Sequence, residues 1–117
     1  MNVGVLSIEI IIPGSSSLKD KRMVLKRIKD RVRSKYNVSV AEVDFQDKWQ
    51  RAALGFAQVG NNKKIVEESL NTIFRQLDQD DHFEIIHYQL KYFNGRRQTY
   101  TTRGGFREEG RQRYIGI

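Results

Sequence analysis

Residues 42–51 crowd more chemically capable side chains together than any other stretch of this 117-residue chain: Glu42, Asp44, Gln46, Asp47, Trp49, Gln50 and Arg51. Glu42, Asp44 and Asp47 are hard oxygen donors of the kind that hold magnesium in nucleases, and Glu42 and Asp44 would share one face of a strand. Lys48 and Arg51 stand close enough in sequence to pair with the same carboxylates. The plainer expectation is thus a polar hairpin end tied by ion pairs, and no metal site is assigned. Trp49 is a packing residue at that end or an exposed anchor for a partner. Asp44, Gln46, Asp47, Trp49 and Arg51 form the candidate partner site. His82 and His87, five apart on a strand, point to opposite faces and cannot share a metal. Nothing reads as a nucleophile elbow, and Gly104-Gly105 alone is not a phosphate loop. No catalytic residue and no cofactor follow from these residue types.

The other chemistry is charge. The net charge is +7. It is uneven, with fifteen lysines and arginines against twelve acids in residues 1–95 and six against two in residues 96–117. Within residues 18–36, nine basic side chains face only Asp20 and Asp30. A helix that needs only solvation mixes Glu with Lys to gain i,i+4 pairs, so this excess points to a polyanion. Lys19, Lys26, Arg27, Arg31 and Arg33 are the expected phosphate contacts, with Arg96, Arg97 and Arg103 added by the C-terminal segment.

The elements that position these groups follow from periodicity. Residues 3–12 alternate as a strand with Leu6, Ile8, Ile10 and Ile12 on one face, ended by Pro13-Gly14. Residues 18–36 carry Leu18, Leu25, Ile28, Val32 and Tyr36 as an amphipathic stripe, with Ser17 as N-cap and Asp20 completing a partial capping box. Residues 38–45 and 51–57 alternate as two strands, and Gln46, Asp47 and Lys48 suit a tight reversal between them. Residues 63–79 form a second amphipathic helix on Val66, Leu70, Ile73 and Leu77. Residues 82–93 give a fourth strand, with Ile86, Tyr88, Leu90 and Tyr92 on one face and Phe83, Ile85, His87, Gln89 and Lys91 on the other. The order β-α-β-β-α-β predicts an α+β, ferredoxin-like fold: a four-stranded antiparallel sheet with both helices on one face. Right-handed crossovers place the first and third strands centrally. The opposite sheet face is left for RNA or a second subunit, but it lacks the aromatic row of an RNA-recognition motif.

A single domain over residues 1–93 is expected, with residues 94–117 as a basic, partly flexible extension. Asn94-Gly95 signals a hairpin, and the alternation from Arg97 to Thr102 suits a fifth strand pairing back on residues 87–93. Beyond it, arginine, glycine and single aromatics suit an RNA-binding arm. There are no cysteines. Together with the lack of a membrane-length apolar run or a signal-peptide pattern, that predicts a cytoplasmic protein without disulfides.

The opening VGVLSIEIIIPGSSSLKDKR, the segment NVSVAEVDFQDKWQRAALGFAQV and the asparagine-rich turn after it resemble the YlxP-like family, a small group of uncharacterised bacterial proteins. The resemblance spans residues 1–92 and joins three separated motifs in order. It implies a ferredoxin-like fold and a cytosolic bacterial protein. Family members are often encoded beside translation-initiation and ribosome-binding factors, which implies a ribosomal or RNA role. The family defines no catalytic residue to carry over.

The expected function is accordingly a non-catalytic RNA-binding module, with ribosomal RNA as partner and no membrane or small-molecule substrate. Two other classes stand beside it: a homodimerising protein–protein module, and a metal-dependent nuclease using Asp44 and Asp47.

Overall fold

Alternating burial along the first strand sets the architecture. In β1 (Asn2–Ile11), Leu6, Ile8 and Ile10 are buried while Ser7 is exposed and Val5 and Glu9 are half-buried. A strand with one apolar face needs a covering layer on that side only. Two helices supply it: α1 (Leu18–Lys35) buries Leu25, Ile28 and Val32, and α2 (Lys63–Asp78) buries Val66, Leu70, Ile73 and Leu77. The computed structural model describes residues 1–94 and the backbone of residues 99–106.

The remaining strands are β2 (Ser39–Asp44), β3 (Arg51–Gly60), β4 (Glu84–Asn94) and β5 (Thr99–Phe106). They form one antiparallel sheet in the order β2-β3-β1-β4-β5, so β1 and β3 are central as right-handed crossovers require. The first four strands and the two helices are the ferredoxin-like α+β arrangement. β5 extends the sheet from the C-terminal segment and pairs from His87↔Phe106 to Asn94↔Thr99. That register leaves residues 95–98 between the strands. The expected Asn94-Gly95 turn and the arm beyond residue 106 lie outside the described residues.

Both helix starts are capped as local chemistry dictates. Ser17 Oγ accepts from the Asp20 backbone N–H (3.1 Å), and Asp20 Oδ2 accepts from Ser16 N–H (3.0 Å) and Ser16 Oγ (2.8 Å). These bonds from Ser16 hold the Asp20 carboxyl below its ordinary value. Asn62 caps α2 by accepting from Lys64 and Ile65 N–H.

Two bulges shift the expected faces. Glu9 pairs with His87 but Ile10 with Ile85, so Ile86 is an extra residue in β4. In consequence Ile85 is buried with Tyr88, Leu90 and Tyr92, and Ile86 is only half-buried, the reverse of strict alternation. A second shift, between Glu42 and Asp44 in β2, separates the two carboxylates that were expected to share a face.

Candidate interaction surfaces

The hairpin end is a six-residue loop, 45–50, rather than a tight reversal. Its organiser is a residue expected on the solvated face. Lys21 is 1% exposed, and its Nζ lies 2.8 Å from Glu42 Oε2. The same ammonium donates to the carbonyls of Phe45 (2.8 Å), Arg51 (3.3 Å) and Gln46 (3.4 Å). One buried cation therefore gathers both ends of the loop. Other bonds complete the fastening. Gln50 Nε2 donates to Ser15 O (2.9 Å) and Pro13 O (3.3 Å), Ile12 N–H to Gln50 O (2.9 Å), and Lys48 N–H to Phe45 O (3.0 Å). Phe45 takes a left-handed φ of 63°, uncommon for an aromatic residue, and its ring lies 4.3 Å beneath the Arg51 guanidinium.

These contacts revise the expected ion pairs. Glu42 is engaged by Lys21 and not by Lys48 or Arg51, while Arg51 reaches across to Glu9 on β1. Asp44 accepts from the neighbouring Phe45 N–H at 2.7 Å, and Asp47 is exposed. Among the described residues, no three His, Asp or Glu side chains come together as metal ligands. Trp49 is 55% exposed. It lines a shallow depression with Ile11, Asp47, Lys48, Gln50 and Arg51.

The basic helix is sorted by the structure into fastened and free cations. Arg33 donates to Val40 O (3.0 Å) and so ties α1 to β2. Arg31 pairs with Asp80 (3.2 Å), and Lys26 pairs with Asp30 one turn on (2.7 Å), both members exposed. Lys19, Arg22 and Arg27 are exposed, and neither Arg22 nor Arg27 forms an ion pair within the described residues. Met23 is 64% exposed between them and shares a shallow groove with Lys26, Arg27, Asp30 and Arg31. Arg103 lies on β5 opposite Leu90, with only its backbone described, and Arg96 and Arg97 lie outside the described residues.

Lys21 was missed and Arg22 undervalued because the two adjacent cations look alike in sequence. The signal was present. Leu18, Leu25, Ile28 and Val32 leave one gap in a three–four repeat, and Lys21 fills it.

Asp80 joins α1 to the turn between α2 and β4. Burial raises its carboxyl, but hydrogen bonds from the His82 backbone and ring, with the Arg31 guanidinium, outweigh burial and hold it below its ordinary value of 3.8. A depressed carboxylate stabilises the fold above its unfolded value, and the contribution is lost as pH falls through the folded one. Asp80→Asn should therefore flatten the acid limb of stability below about pH 4 in urea titrations, leaving a neutral-pH deficit. An unchanged acid limb would remove Asp80 from that role.

The chain matches, over residues 3–90, a family model described as "Protein of unknown function (DUF503)". It is also 40% identical over 91 residues to the Bacillus subtilis protein named "Uncharacterized protein YlxP", across 78% of this chain and 99% of that protein. β5 lies beyond the family match.

Proposed function

The chain belongs to the DUF503 family, and we propose that it serves as a non-catalytic RNA-binding module that contacts phosphates of ribosomal RNA through the outer face of α1. The observation that carries this reading is the row Lys19, Arg22, Lys26 and Arg27, exposed on a helix whose apolar face is fully used by the core. Cations four residues apart on a helix rise about 6 Å, the same order as neighbouring phosphates along a strand. The pairing of Lys26 with Asp30 is no obstacle, since an exposed i,i+4 pair holds only about 0.5 kcal/mol and yields readily to a phosphate. Lys21 and Arg33 hold α1 to β2 and its loop, and Arg31 holds it to the turn between α2 and β4, so this reading sets Arg31 and Arg33 aside and adds Arg22 to the expected phosphate contacts on the helix. Such contacts position an RNA without reading its bases.

Co-sedimentation with purified bacterial ribosomal subunits across a salt series tests the proposal. Saturable binding to one subunit is expected near physiological ionic strength, weakened about 100-fold by Arg22→Glu/Arg27→Glu, with the salt slope reduced by roughly one per lost phosphate contact. Weak, unsaturable binding that fades equally in both proteins would refute it.

A further inference from the structure

The side of the sheet away from the helices carries a second surface, and its character is opposite to that of α1. Glu9 and Arg51 pair there, Glu84 and Lys91 on β4 bring one further charge of each sign, and exposed Asp44 on β2 adds one acid, so the described charges of this face are near-neutral, with no positive excess, while the molecule as a whole is +7. Between the charges lie apolar side chains, among them Val43 and Val59, 57% and 60% exposed. Trp49 stands at the rim, where its depression is shared with Ile11 and Arg51 of the same face. An exposed tryptophan on a loop fastened by Lys21 and Gln50 is preorganised, so little ordering cost opposes its burial in a complex.

Gly55, in the middle of this face on the central strand β3, adds an independent observation. A Cβ at Gly4 would come within 2.6 Å of Leu70 Cδ1, and one at Gly60 within 2.8 Å of Val66 Cγ2, so α2 explains both glycines. A Cβ at Gly55 would meet only Val43 Cγ1, at an ordinary 3.5 Å. The β2 bulge lies beside it, yet a Cβ would have room within the protomer, so the glycine also leaves the middle of this face open to close approach by another surface.

From these features we infer that the open sheet face, anchored by Trp49, is an isologous interface for a second copy of this chain. Charge complementarity selects that occupant. RNA would meet no net positive charge here, whereas two identical basic chains approach with least repulsion through a near-neutral patch. Face-to-face pairing leaves both α1 helices on the outside, separated by several layers and well beyond a Debye length of about 8 Å. Four strands spaced ~4.8 Å and about 30 Å long offer ~600 Å² per copy, hence ~1,200 Å² in all, at the lower end of stable interfaces. The inference is independent of the RNA reading.

Sedimentation equilibrium of the full chain tests it, with Trp49, the only tryptophan, as a fluorescent reporter. Wild type should dimerise with rising concentration while Trp49 emission shifts to the blue, and added salt should not weaken the dimer. Gly55→Arg should weaken it ~100-fold or more by burying an unpaired charge, and Trp49→Ala about 10-fold or more. Trp49 is exposed, so its removal tests the interface even if Gly55→Arg fails to fold. Arg22→Glu/Arg27→Glu should leave the dimer intact, which separates this result from the RNA assay. A monomer at every concentration, a dimer indifferent to Gly55→Arg and Trp49→Ala, or a dimer broken by the α1 reversal would overturn the inference.

Discussion

Lys21→Ala is expected to destabilise the protein by about 3 kcal/mol, the lower end of what removal of one partner from a buried ion pair costs. The lower end applies because Glu42 retains 19% side-chain exposure and water can reach part of the charge that is left. Three carbonyls, of Phe45, Gln46 and Arg51, lose their donor in the same step. Lys21→Met preserves the stem and most of the packing, so it separates the two contributions. If volume dominated, Met would recover nearly all the stability. Because the ammonium satisfies the loop, Met should recover less than half, and Trp49 emission should still report a loosened hairpin end. Glu42→Gln is expected to cost less than either, since the backbone carbonyls continue to hold the lysine. Urea denaturation of the four proteins gives the ranking. A Lys21→Ala variant within about 0.5 kcal/mol of wild type, the range of ordinary surface substitutions, would show that the buried cation does not organise the loop.

That residue also marks the limit of what the sequence discloses. Element order, the helix caps at Ser17 and Asn62 and the added strand β5 follow from local signals (alternation, amphipathic spacing and turn residues), and the central placement of β1 and β3 follows from the handedness of the crossovers. Lys21 is legible only as an interruption in a stripe. A lysine in a three–four repeat is normally explained by its long stem reaching solvent. What retains it inside is the set of oxygens from β2 and the 45–50 loop, which assemble only in the tertiary structure. The bulges are hidden for a similar reason. Ile85 and Ile86 are chemically identical, and only the register against Glu9 and Ile10 decides which is buried. At the 45–51 hairpin, what differs from expectation is the fastening of the loop. Glu42 had been given to Lys48 or Arg51 by nearness in sequence, and the actual partner comes from a helix twenty-one residues earlier.

A different packing constraint leads to the second large effect, at Gly4. Its position on β1 faces α2, and a Cβ there would lie 2.6 Å from Leu70 Cδ1, 2.7 Å from Val66 Cγ1 and 3.3 Å from Tyr92 Cδ1. Gly60 on β3 meets the other methyl of Val66. Val66 thus sits in a notch between two glycines on neighbouring strands, and the notch fixes how closely the start of α2 approaches the sheet. Leu70 Cδ1 can swing aside but β-branched Val66 cannot, so Gly4→Ala should require a small shift of the helix, at about 1–3 kcal/mol. Gly4→Val must move the helix further and should cost ~3 kcal/mol or more. A double-mutant cycle distinguishes this overpacking from a loss of glycine's backbone freedom. Leu70→Ala alone should cost about 2–5 kcal/mol through its cavity. In the Gly4→Ala background it should cost at least ~1 kcal/mol less, because the new methyl occupies part of the space vacated. Strict additivity of the two changes would mean that the helix is seated by something other than the glycine notch. In that case the separation between the helix layer, where α1 carries its phosphate-facing row, and the open sheet face would need another structural explanation.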